Sequence, residues 1–264
     1  MEQIDLKQEL AAQANASATK EEVKLKKNMA IPDMVKAMMP EIRRALPTVI
    51  TPERFTRIAL SALNNTPALQ QCTPMSFLAA LMNAAQLGLE PNTPLGQAYL
   101  IPYKNKGNLE CQFQIGYKGL IDLAYRNGQI QTIQAQAVYE HDFFEYEYGL
   151  EPRLVHKPAF SDRGDVIYFY AIFKTVNGGF GRAVMSKADM DLYAKTYSKA
   201  FDSSYSPWKT DYESMAKKTV IKQALKYAPI KTDFQRALST DETIKKEISD
   251  DMFSVKNEEI ELVA

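Results

Sequence analysis

The sequence has few of the residues that hold metals or carry nucleophilic chemistry: two cysteines, two histidines and one tryptophan in 264 residues. Cys72 and Cys111 lie far apart in the sequence and match no zinc or redox spacing, which argues for a reducing, intracellular setting. His141 and His156 have no second ligand at metal spacing and read as surface or strand-edge residues. No apolar run lasts more than a few residues before a charge or amide breaks it, and the first thirty residues carry no signal-like block. A membrane span and secretion are therefore not expected. No G-x-x-x-x-G-K-[ST] string is present to cradle a nucleoside triphosphate, and no Ser or Cys sits in a nucleophile elbow. An ATP-driven motor is not expected, and catalysis has little support. The acidic run Glu140, Asp142, Glu145 and Glu147 has the composition of a magnesium cluster, but it alternates with Phe143, Phe144, Tyr146 and Tyr148. That alternation favours a strand or turn with a solvated acidic face.

What remains is an ordinary globular composition, 45% hydrophobic and 24% charged. A chain of this size buries roughly 70–75% of its extended surface, so its core needs no metal or disulfide. The net charge of zero conceals a division. Residues 1–231 carry 28 Lys and Arg against 23 Asp and Glu, net +5, whereas residues 232–264 carry 4 against 9, net −5. Such asymmetry suggests an anion-binding body with a detachable or self-screening tail.

Residues 1–30 lack the aromatic and β-branched content that offsets ordering entropy, and disorder is expected there. Helices are predicted over 33–46, from the Thr51-Pro52 cap, and from Thr73-Pro74 to a left-handed stop at Gly88. Alternation then predicts a hairpin from 97–103 and 109–115 with a basic tip, Lys104-Asn105-Lys106-Gly107-Asn108, followed by a helix from Tyr117 to Asn127. Strands over 130–139, 143–148, 153–157, 166–176 and 180–185 have connections too short for parallel crossovers and should form an antiparallel sheet. The Asn177-Gly178-Gly179 turn joins the last two. A Ser186 cap should open a helix to about Lys199, and a long helix over 208–228 should end at Pro229. The predicted class is α+β: N-terminal helices, antiparallel hairpins, and a long C-terminal helix lying against the sheet. Residues 31–231 would be the folded body, and 232–264 an acidic flexible tail.

At 100° per residue, Lys218, Lys222 and Lys226 form one stripe on that last helix, while Ala216, Val220, Ile221, Ala224 and Leu225 occupy most of the remaining circumference. Evenly spaced ammoniums on a rigid helix suit a phosphate backbone; a row of solubilising lysines is the simpler alternative. A second set, Gln114, Tyr117, Lys118 and Arg126, surrounds the strand-to-helix junction, with Asp122 placed to make Lys118–Asp122–Arg126 a surface ion-pair ladder instead. Lys104 and Lys106 extend the set from the hairpin tip, and Lys209 and Lys217 from the last helix. Trp208, Tyr205 and Tyr212 sit beside basic residues, as base-stacking aromatics do, although an aromatic that starts a helix is more often a core anchor.

The strings LGLEPNTPLGQAYLIPY (87–103), FQIGYKGLIDLAYRNG (113–128), EYEYGLEPRLVHKP (145–158) and SPWKTDYESMAKKTVIKQALKYAP (206–229) resemble the RecT family of phage-type single-strand annealing recombinases. The resemblance runs from about Pro40 to Pro229, and it implies that the sheet and the long C-terminal helix form a DNA groove, with 31–231 as the DNA-binding, annealing and oligomerisation core. It implies pairing of complementary DNA strands without ATP or another cofactor, by a homo-oligomeric ring or filament in the bacterial cytoplasm. It also implies single-stranded DNA and a complementary-strand annealing intermediate as partners, beside a partner exonuclease and a host single-strand-binding protein. Two other classes compete: a protein that protects single strands without annealing them, and a metal-dependent nuclease built on the acidic run. The ending Glu258-Glu259-Ile260-Glu261-Leu262-Val263-Ala264 reads equally as a partner contact and as a solvated terminus.

Overall fold

The computed structural model describes residues 29–198, 201–202 and 206–229, together with 235, 238, 241, 244, 245, 247 and 248. Of residues 1–30, where disorder is expected, Met29 and Ala30 are described and 1–28 lie outside, as do Lys199, Tyr205, Lys231 and the chain's acidic ending.

Two short helices, α1 (Ile31–Ala37) and α2 (Met39–Ala45), stand where one helix is predicted over 33–46. Pro40 lacks the N–H that a continuous helix would use, so the chain restarts at Met38. Helix α3 (Pro52–Asn65) opens as expected, with the Thr51 hydroxyl accepting from the Arg54 amide at 3.3 Å. Helix α4 (Pro74–Leu87) starts where predicted, but Thr73 does not cap it. The Thr73 hydroxyl donates instead to Ser76 Oγ at 2.8 Å, which also accepts from the Cys111 amide at 2.9 Å. Helix α4 is buried around nearly its whole circumference, which identifies it as the centre of the N-terminal half. It ends at Gly88, left-handed at φ 58°.

Strands β1 (Ala98–Asn105) and β2 (Asn108–Ile115) pair from Ala98–Ile115 to Asn105–Asn108. Positive φ at Lys106 and Gly107 makes a two-residue turn of the type that matches strand twist, so the hairpin is longer and its loop shorter than predicted. Helix α5 (Tyr117–Arg126) follows β2 after one residue. The remaining strands do not form one sheet. β3 (Ile130–Tyr139), β6 (Val166–Thr175) and β7 (Phe180–Ser186) make a three-stranded antiparallel sheet in the order β3-β6-β7, and β4 (Phe143–Glu147) pairs only with β5 (Arg153–Lys157).

Alternation along β6 gives that sheet two apolar faces. Phe169, Ala171 and Phe173 belong to the main core, which continues into the last helix. On the other face, Tyr168 and Tyr170 carry Phe144 of the β4–β5 hairpin, each at a ring separation of 5.6 Å. Helix α6 (Lys187–Tyr197) has the predicted Ser186 cap, with Oγ accepting from the Asp189 amide at 3.0 Å, and stops two residues short of Lys199. The helix predicted over 208–228 is divided. A single turn, α7 (Pro207–Thr210), precedes α8 (Tyr212–Leu225); the break falls at Asp211, whose carboxylate caps the Ser214 amide at 3.4 Å. The α+β class holds, with antiparallel pairing within each sheet.

Candidate nucleic-acid interface

The junction between β2 and α5 depends on two glycines. A Cβ on Gly116 would lie 2.1 Å from the Gly96 carbonyl oxygen, and one on Gly119 would lie 2.1 Å from that of Gln97. Only hydrogen at these positions lets the chain entering β1 rest on the first turn of α5. The packing sets Tyr117, half-buried, and Lys118, exposed, at the start of α5. Tyr99 stands beside them at 40% exposure. Burial raises its hydroxyl pKa, and nearby Asp211 and Tyr117 add to the rise while the Lys218 ammonium opposes it. From β2, the Gln114 side-chain amide reaches Met215 Sδ on α8 at 3.7 Å. Gln114, Tyr117, Lys118 and Lys218 therefore share one region, with Tyr99 as a member that sequence reasoning missed.

The lysine stripe of α8 is graded. Lys218 is buried, Lys222 is half-buried and Lys226 is exposed. The first two converge on Asp241. Its Oδ2 lies 2.9 Å from Lys218 Nζ and 3.0 Å from Lys222 Nζ, and its Oδ1 accepts from the Ile115 amide at 2.7 Å. The Asp241 side chain is fully buried. Burial pushes its carboxyl pKa up, but the two ammoniums and the amide outweigh that, so the net shift is downward and the group is a carboxylate. No signal in the sequence marks Asp241, which bonds across 126 residues of chain. Beside the lysines a cavity of about 50 Å³ is lined by Tyr193, Tyr197, Trp208, Met215 and Lys222.

The other expected residues are dispersed. Lys217 pairs with Glu213 at 2.5 Å, one turn back on α8. Arg126 is paired with Asp122 as the ion-pair reading expected, and its guanidinium also donates to the Leu87 and Gly88 carbonyls at 2.6 and 3.0 Å. It thus closes the C-terminal end of α4. Lys104 and Lys106 are exposed at the far end of the hairpin, about 20 Å along the strands from Ile115. Trp208 is 5% exposed, with its ring against Tyr212 at 5.6 Å, so here it anchors the core and presents no stacking face. Lys209 is exposed and lies over the Phe201 ring.

The acidic run departs from its expected solvated face at one position. Asp142 is buried and accepts from Arg163 Nε and Nη2 at 2.9 and 2.5 Å and from the Ala159 and Tyr139 amides at 2.9 and 3.0 Å. His156 Nε2 lies 3.0 Å from Asp142 and His156 Nδ1 3.1 Å from the Tyr170 hydroxyl, which fits an imidazole donating through Nε2 and accepting at Nδ1. The Arg163 hydrogen bonds hold the Asp142 carboxyl far below the usual range, against the opposing effect of its burial. Among the described residues, no three His, Cys, Asp or Glu side chains gather as a metal site. Nor is any helix long and apolar enough to cross a membrane.

Comparison with known proteins extends this picture over most of the chain. Residues 53–256 match the model of the RecT family. The chain is 41% identical to Protein RecT of Escherichia coli (strain K12) over 210 residues, 78% of this chain and 77% of that protein. It is 33% identical over 197 residues to the uncharacterized protein YqaK of Bacillus subtilis (strain 168), covering 74% of this chain and 66% of that one.

Proposed function

The chain belongs to the RecT family, and on that premise we propose that it binds single-stranded DNA and anneals complementary strands without nucleotide hydrolysis, as a phage-type recombinase. The family match carries this reading, because it spans both cation-bearing elements, α5 and α8. The cations near the β2–α5 junction support it: Lys118 and Lys226 are exposed, and Lys222 is half-buried between the Asp241 contact and solvent. In this reading a strand lies in a groove along α8 and the start of α5, held by its phosphates. Phosphate contacts position a strand without reading it, so the protein is indifferent to sequence and the base edges stay available to a second strand. Base-pair stacking then drives annealing, at about 1.4 kcal/mol per step, and the protein has only to relieve phosphate repulsion and align the strands.

The functional core in this reading is 31–231, with 232–264 as an acidic tail. Copies assemble head to tail into rings or open helices, the geometry that lines up many short binding sites along one strand. A partner exonuclease that exposes single strands and a host single-strand-binding protein complete the setting, in the bacterial cytoplasm.

The test is annealing of two complementary oligonucleotides, followed by fluorescence quenching without ATP across a salt series. Faster, salt-sensitive pairing is expected. Binding without acceleration would leave a protein that only protects single strands.

A further inference from the structure

The geometry points to Asp241 as an internal stand-in for a DNA phosphate, held in the binding site by the residues that take the strand and displaced when DNA arrives. The inference rests on the DNA-binding reading above and deepens it by naming how the site is regulated. Four observations carry it. Among the described residues, two ammoniums and one backbone amide converge on the two oxygens of Asp241 at 2.7–3.0 Å. The same set suits the two non-bridging oxygens of a phosphodiester. The donors lie on β2 and α8, beside Tyr117 and Lys118, so the carboxylate occupies the place where the two candidate DNA-binding elements meet.

The carboxylate comes from the segment of the chain that carries the excess negative charge, net −5 over 232–264, and it pairs with the segment that carries the excess positive charge. The site also has a path to solvent. Lys222 Nζ belongs to a side chain 30% exposed, and Lys226, one turn further, is exposed. Successive lysines four residues apart stand about 5–6 Å from one another at Cβ. A strand engaging Lys226 therefore meets Lys222 next, and its following phosphate competes with Asp241 for Lys222 and Lys218. The exchange replaces one anion with another and leaves the lysines' positive charge compensated throughout, which avoids the cost of an uncompensated buried ammonium.

The test uses the full-length chain and a fluorescently labelled single-stranded oligonucleotide. Asp241→Asn keeps the size of the side chain and removes its charge. The expected result is single-strand binding at least threefold tighter than wild type by anisotropy, with the circular dichroism spectrum unchanged. Equal or weaker binding by the folded variant overturns the proposal and makes Asp241 a structural pin. If Asp241→Asn does not fold, hydrogen exchange of the wild-type protein decides. Exchange in a peptide containing Asp241 should speed up when the oligonucleotide is added, and unaltered or slower exchange overturns the proposal. A wild-type chain that binds no single strand overturns the DNA reading as well, and is recognised by the absence of any anisotropy change.

Discussion

Two buried aspartates organise this molecule, and they do so in opposite ways. Asp142 gathers all its partners from residues 139–163: an arginine fork, a histidine and two amides. Asp241 draws its partners from α8 and from an amide 126 residues away, and its cations are lysines. A guanidinium fork fixes both the distance and the plane of a carboxylate, whereas an ammonium is a point charge that tolerates exchange of one anion for another. One chemistry, a buried carboxylate among cations, therefore serves here as a local rivet and there as a contact suited to replacement.

The largest effect should come from breaking the rivet. Asp142→Ala leaves two amides, Arg163 and His156 without their acceptor, and should cost about 2–4 kcal/mol in urea denaturation while sparing single-strand binding by the folded fraction. Because the folded carboxyl lies below its unfolded value of about 3.9, its contribution is complete above that pH and is lost as the pH falls. The variant should accordingly show a shallower loss of stability in acid than wild type. Equal stability of variant and wild type at pH 7 would reduce Asp142 to a spectator.

A smaller loss is expected from undermining the second site at its base. Gly116→Ala drives a methyl into the Gly96 carbonyl and should cost about 2 kcal/mol as the chain entering β1 is pushed off α5. Unlike Asp142→Ala, it should also weaken DNA binding, because the Ile115 amide and Tyr117 move with the junction. Loss of stability with binding intact would separate the junction from the interface.

The smallest effect on stability, and the sharpest on binding, belongs to Lys222→Ala. It should weaken binding to all sequences alike by about three- to tenfold and flatten the log–log salt dependence by about one unit. An unchanged slope would place Lys222 off the path of the strand.

Much of the fold was legible because glycine and proline punctuate it. Thr51-Pro52, Gly88, Lys106-Gly107 and Ser186 lie at element boundaries in the structure, and the residues that mark them act within three or four positions. What escaped is non-local. Nothing near β3 says that it pairs with β6 and leaves the β4–β5 hairpin on the outer face. The break at Asp211 escaped because the apolar period continues through it from Trp208 to Tyr212. Asp142 looked solvated because Arg163 lies 21 residues on, beyond the reach of any strand-period argument. The lysine stripe was legible as a stripe, but its gradient from Lys218 to Lys226 depends in part on Asp241, whose placement no local pattern encodes.

The clamp of Arg126 on the end of α4 has a consequence for how the protein comes apart. By satisfying the carbonyls of Leu87 and Gly88 from the last turn of α5, one side chain joins a surface helix to the most enclosed helix of the molecule. Opening either helix at this end costs the other a shared contact, which couples the two locally. Helix α5 also packs on α8 and β3, so Lys118 projects from an element anchored to three neighbours, α4 among them.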